Sequence, residues 1–178
     1  GINAGSADKL EDPTAAATSF IRSNVVTIPL DSTNYIFSCF VRKDATISRF
    51  PSLLLDMPDG TGVFTGVNLN TSTGAIANYF NNFPALLDKG VVDVDSLWWR
   101  VWFKTANDGT SSQLRVLIQP CQCSVLGDVD DVTLTGFITA WGINITNTTS
   151  LQTYDPDPFY SFIGAPNPFF TTVGAKRF

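Results

Sequence analysis

The chain has 178 residues, 44% of them hydrophobic and only 15% charged, with a net charge of −5 and no histidine. That length and apolar content suffice for one domain with its own core, and the lack of a cationic stripe argues against a duplex or membrane-phosphate partner. Without histidine the chain lacks the commonest general base, the Ser–His and Cys–His pairs and the commonest zinc ligand, and no apolar run is long enough to span a bilayer.

Charged residues fall below the usual quarter, which leaves polar surface to Thr, Ser, Asn and Asp. Fourteen Phe, a single Met, and one Glu against fifteen Asp favour strands over helices. No signal peptide is visible at Gly1, and the opening reads as a fragment or a processed end.

In chain order, residues 1–17 predict a short strand and a turn, because Pro13 keeps Asp12 extended. Ser19–Pro29 is rich in β-branched residues and predicts a strand. Asp31–Asn34 is a turn cluster. Tyr35–Arg42 carries apolar groups on both faces, as a central strand covered on both sides does. Ser52–Met57 predicts a strand that ends in the turn Pro58-Asp59-Gly60. Val63–Leu69 predicts another, and Ala75–Phe80 pairs back on it as a hairpin. Pro84–Asp88 predicts one helical turn, and Val91–Asp95 leads into the next strand.

That strand, Ser96–Phe103, holds three of the four tryptophans. With period two, Trp99, Val101 and Phe103 form a wholly apolar face. Trp98, Arg100 and Trp102 form the other, with a guanidinium between two indoles. Indoles stack on the apolar faces of sugar rings, and an arginine donates to hydroxyls. The same rings suit a structural role equally well, since tryptophan is largely buried on average. The turn Asn107–Thr110 predicts a hairpin to Gln113–Gln119, which places Arg115 or Leu117 beside the tryptophan face.

Pro120–Asp131 reads as a loop with the acidic run Asp128, Asp130 and Asp131. Leu134–Ile145 predicts a long strand with Phe137, Trp141, Ile143 and Ile145 on one face, and Gly136 and Gly142 predict a bulge or a close backbone approach. From Gln152 the chain is rich in proline and aromatics. The domain is expected to span 1–158, followed by an extended arm over 159–178. Cys39, Cys121 and Cys123 make an odd count, which favours buried thiols over a disulfide framework, although Cys39 is within reach of either partner. Strands at regular spacing with turns between them predict an all-β fold, an antiparallel β-sandwich or jelly roll of about eight to ten strands.

The order of motifs resembles a jelly-roll module of phage virion and tail proteins, akin to carbohydrate-binding modules of the galactose-binding-like fold. The resemblance rests on Ala7–Asp12, Tyr35–Ser38 with Val41–Lys43 after it, Leu69–Gly74, Trp98–Val101, Trp141-Gly142 and Thr153–Pro156. Trp99 stands in a tyrosine's place, Asn144 stands where an acidic residue is usual, and a strand that usually precedes Ala7 is missing. The resemblance implies a non-catalytic domain on the virion or tail that attaches to host glycans through Trp98, Arg100, Trp102 and Arg115. Tyr79, Phe80, Phe83 and Tyr154 would extend that platform. A purely structural assembly domain is the competing expectation, with copies of itself, for example a trimer, or other virion proteins as partners.

Catalysis is not expected: carboxylate pairs such as Asp93 and Asp95, or those of the acidic run, would need one member buried with a raised pKa. Sandwich modules of this kind often hold Ca²⁺, and Asp128, Asp130 and Asp131 are the candidate ligands, set against the reading that they are solvated turn residues. Three N-x-S/T sequons, at Asn70, Asn144 and Asn147, are candidate glycan acceptors only in a secreted eukaryotic setting.

Overall fold

The computed structural model describes residues 7–13, 15, 20–45, 48–60, 64–80, 82, 84–107 and 109–148, with only the backbone of Thr148. Two antiparallel sheets pack face to face as a β-sandwich, and no helix occurs among these residues. The first sheet has the order β1 (Asp8–Asp12), β11 (Gly136–Thr148), β4 (Asn34–Arg42), β9 (Trp98–Ala106) and β8 (Leu86–Asp93). The second has β2 (Ile21–Arg22), β10 (Gln113–Cys123), β5 (Phe50–Asp56), β6 (Phe64–Leu69) and β7 (Ile76–Asn78), with β3 (Val26–Thr27) also paired to β10.

The core is made by alternate residues of the inner faces. Tyr35, Phe37, Cys39 and Val41 of β4 and Val101 and Phe103 of β9 meet Leu53, Leu55, Val67, Leu69, Leu114, Val116 and Ile118 of the second sheet. Phe37 and Phe103, cross-strand partners, stack at 5.0 Å. Long-range pairing holds this fold together, as expected of β4, whose neighbours in the sheet are β9 and β11.

Several expectations need correction. Ser19–Pro29 is broken into β2 and β3, because Ser23 interrupts the ladder: its Oγ accepts from Val116 N (2.9 Å) while its own N–H donates to Val116 O (3.0 Å). Pro84–Asp88 is not a helical turn; β8 begins at Leu86 and pairs with β9. Strand β10 continues through Pro120 to Cys123, with a register shift after Gln119 that accommodates a residue without an N–H. The loop that follows starts at Ser124.

The expected β9–β10 hairpin does not form. The chain instead crosses from one sheet to the other between these strands. Asn107 Nδ2 donates to Pro29 O (2.9 Å) and Ser111 O (2.8 Å). Asp59, from the turn after β5, accepts from Ser112 N (3.0 Å), Gln113 N (3.1 Å), Ser112 Oγ (2.6 Å) and Ser111 Oγ. These bonds hold Asp59 at a pKa of about 2, chiefly through the two hydroxyls. The sandwich runs to Thr148; the domain end expected at 158 and the arm 159–178 lie outside the described residues.

Candidate functional site

The face of the first sheet turned away from the core is built from β11, β4, β9 and β8. Cross-strand partners share a face, so the register lays Trp141 beside Phe40, Phe40 beside Arg100, and Arg100 beside Val92. One row on, Arg42 pairs with Trp98; in the other direction, Asn144, Ser38, Trp102 and Gly90 follow across the sheet. The expected split of the tryptophan strand holds: Val101 and Phe103 are in the core, Trp99 packs at its rim, and Trp98, Arg100 and Trp102 face away.

The outward side chains form one aromatic assembly. Trp141 stacks on Phe40 with ring centres 4.3 Å apart and planes 12° from parallel. Trp98 meets Trp141 edge-on at 6.1 Å, and the Arg100 guanidinium lies 5.8 Å from the Phe40 ring centre. This packing leaves Trp98 only 4% exposed, whereas Trp102, Arg100, Phe40 and Trp141 are half-buried. Trp98 is therefore a support and not an open platform. Trp102 lies on the backbone of β8 at Gly90, where an added Cβ would sit 2.6 Å from its indole nitrogen. The Trp141 Nε1–H is buried and has no acceptor.

Sequence reasoning missed Phe40 and Trp141. Phe40 belongs to the face of β4 opposite Phe37, and Trp141 was grouped with Ile143 and Ile145. A bulge explains the second miss. The register shifts between Trp141 and Asn144, and Gly142 at φ +60° supplies the left-handed residue the shift requires. Phe137 and Trp141 thus face outward, while Ile145 turns into the core beside Phe37. The glycine that predicted a bulge also marked where the face changes.

Arg115 is not part of this assembly. It lies on the outer face of the second sheet, where its Nε donates to the buried carboxylate of Asp56 at 2.5 Å. Tyr79 and Phe80, expected to extend the platform, also belong to the second sheet: Tyr79 packs with Leu54 and Leu117, and Phe80 lies 4.7 Å from it. Burial raises the Tyr79 hydroxyl to a pKa of about 12. Phe83 and Tyr154 lie outside the described residues.

The acidic run does not converge. Asp131 accepts from Thr133 N (3.1 Å), Thr133 Oγ1 (2.6 Å) and Ser124 Oγ (3.4 Å), and those bonds, the Thr133 hydroxyl first, lower its pKa. Asp128 Oδ1 accepts from Val129 N (2.8 Å), whereas an Asp130 oxygen is buried. Among the described residues no three carboxylates or thiols are placed to hold a metal ion.

The three cysteines are buried and unpaired with one another. Burial pushes the Cys39 thiol far up and that of Cys121 to about 11. Of the sequons, Asn70 is engaged in its own turn, where Oδ1 accepts from Ser72 N (3.0 Å) and Thr73 N (3.2 Å). Neither a family model nor a curated protein matches this sequence.

Proposed function

We propose that the protein is a non-catalytic domain of a phage virion or tail protein that attaches to host-surface glycans through the outward face of its first sheet. The observation that carries this reading is the assembly of Phe40, Trp141, Trp98, Arg100 and Trp102 on the sheet face away from the core. Half-exposed rings offer flat apolar surface to the C–H face of a sugar, and the half-buried Arg100 guanidinium offers donors to its hydroxyls. Binding through such a face needs no acid–base pair. The test is a glycan array with host lipopolysaccharide, read against Trp102→Ala. Binding lost in the variant supports the reading; binding equal to wild type, or none by wild type, overturns it.

A second reading is a virion assembly domain without glycan affinity. Leu30 (65% exposed), Val125 (60%) and Val129 (58%) favour it, because apolar loop residues in water suit a protein contact. Mass photometry separates the two: a stable trimer that binds no glycan supports assembly, and a monomer that binds glycan supports attachment.

A further inference from the structure

Beyond the aromatic assembly, the same outward face continues to a cleft at the end of β11. It is lined by Arg42, Lys43, Asp44, Phe137, Ile138 and Thr139 and has a volume of about 220 Å³. That is below the roughly 300–1,000 Å³ of sites for drug-sized ligands, so it suits one small ring. Phe137 is 41% exposed.

The charges around this cleft are uneven. Lys9 Nζ lies 4.4 Å from the Phe137 ring centre and the Arg49 guanidinium 5.8 Å from it. Lys9 is paired with Glu11 (3.0 Å), Arg49 with Asp44 (3.4 Å), and Lys43 with Asp93 (2.5 Å) while lying over Trp99. Arg42 is exposed and, among the described residues, makes no ion pair. Its cross-strand partner is Trp98, so it stands where the cleft joins the aromatic assembly. Among the described residues, the cleft therefore presents one planar cation outside any ion pair, an aromatic ring and the side chain of Thr139.

We propose that this cleft is a subsite for an acidic sugar residue, a uronate or another carboxylated pyranose. Its carboxylate pairs with Arg42 in the two-bond geometry a guanidinium favours, and its C–H face lies against the exposed part of Phe137. This rests on the glycan reading and narrows it: neutral units occupy the aromatic assembly, and the charged unit sits at the Arg42 end.

The test measures binding of the intact protein to glucuronate- and galacturonate-containing oligosaccharides, their carboxyl-reduced counterparts, and inorganic phosphate. Wild type is expected to bind the acidic glycans at least about tenfold more tightly than the reduced ones, the scale of one charge-assisted pair. Arg42→Gln is expected to abolish that preference while binding reduced glycans as wild type does; Phe137→Ala should weaken acidic binding with Arg42 intact. Unchanged melting temperatures show that both variants fold. Acidic and reduced glycans bound equally by wild type, an unchanged preference in Arg42→Gln, or competition by phosphate but not by free glucuronate would overturn the acidic subsite and leave glycan attachment standing. Binding of no glycan overturns both.

Discussion

The indole of Trp141 lies flat on the ring of Phe40, 4.3 Å away and one residue before the bulge at Gly142. The stack joins β11 to β4 on the side away from the core. It also leaves a buried indole N–H with no acceptor, a group that costs stability unless something binds it. Trp141→Phe keeps the stack and removes the orphaned donor, so its unfolding free energy in urea should stay within about 1 kcal/mol of wild type. Trp141→Ala removes the stack and uncovers Trp98, at a cost of about 2–4 kcal/mol for a large, partly buried ring. Equal losses in the two variants would mean the N–H is satisfied in solution.

Gly90 leaves room for Trp102 to rest on β8. In Gly90→Ala the new methyl meets the indole, which must swing out; the expected cost is about 1–3 kcal/mol, with a red shift in tryptophan emission. Adding Trp102→Ala should recover part of the loss, and a double-mutant cycle measures the coupling. Strict additivity would place the ring elsewhere.

Asp56 is buried and Arg115 is its ion-pair partner across β5 and β10. Arg115→Met strands a carboxylate in the sheet and should destabilise by about 3 kcal/mol, more than a surface pair is worth. Asp56→Leu with Arg115→Met should be closer to wild type than either single variant in chemical denaturation.

Asp59 ties the sheet-crossing turn through Ser111, Ser112 and Gln113. Its folded pKa of about 2 lies below the ordinary 3.8, so its contribution is fully present above pH 4 and is lost as pH falls toward 2. Asp59→Asn should lower the melting temperature at neutral pH and flatten the acid limb between about pH 4 and 2. A parallel acid limb in wild type and variant would contradict this.

Cys39, Cys121 and Cys123 are buried, and their thiols titrate above the ordinary range. Ellman's reagent should find no fast-reacting thiol in the native protein and three in urea. A thiol that reacts at once would identify a site that opens locally.

The sequence by itself determined the strand-rich class, the central place of β4, the β6–β7 hairpin and the inner face of β9. Each follows from composition or from the period-two alternation of neighbouring residues, which is local information. Only the tertiary structure decided that β9 and β10 part to opposite sheets, so that Arg115 pairs with Asp56 and not with the tryptophans. Only it turned Trp141 outward onto Phe40 and left Arg42 beside Phe137. Those outcomes depend on register, on a bulge and on which sheet a strand joins, and these are fixed by contacts between residues far apart in the chain.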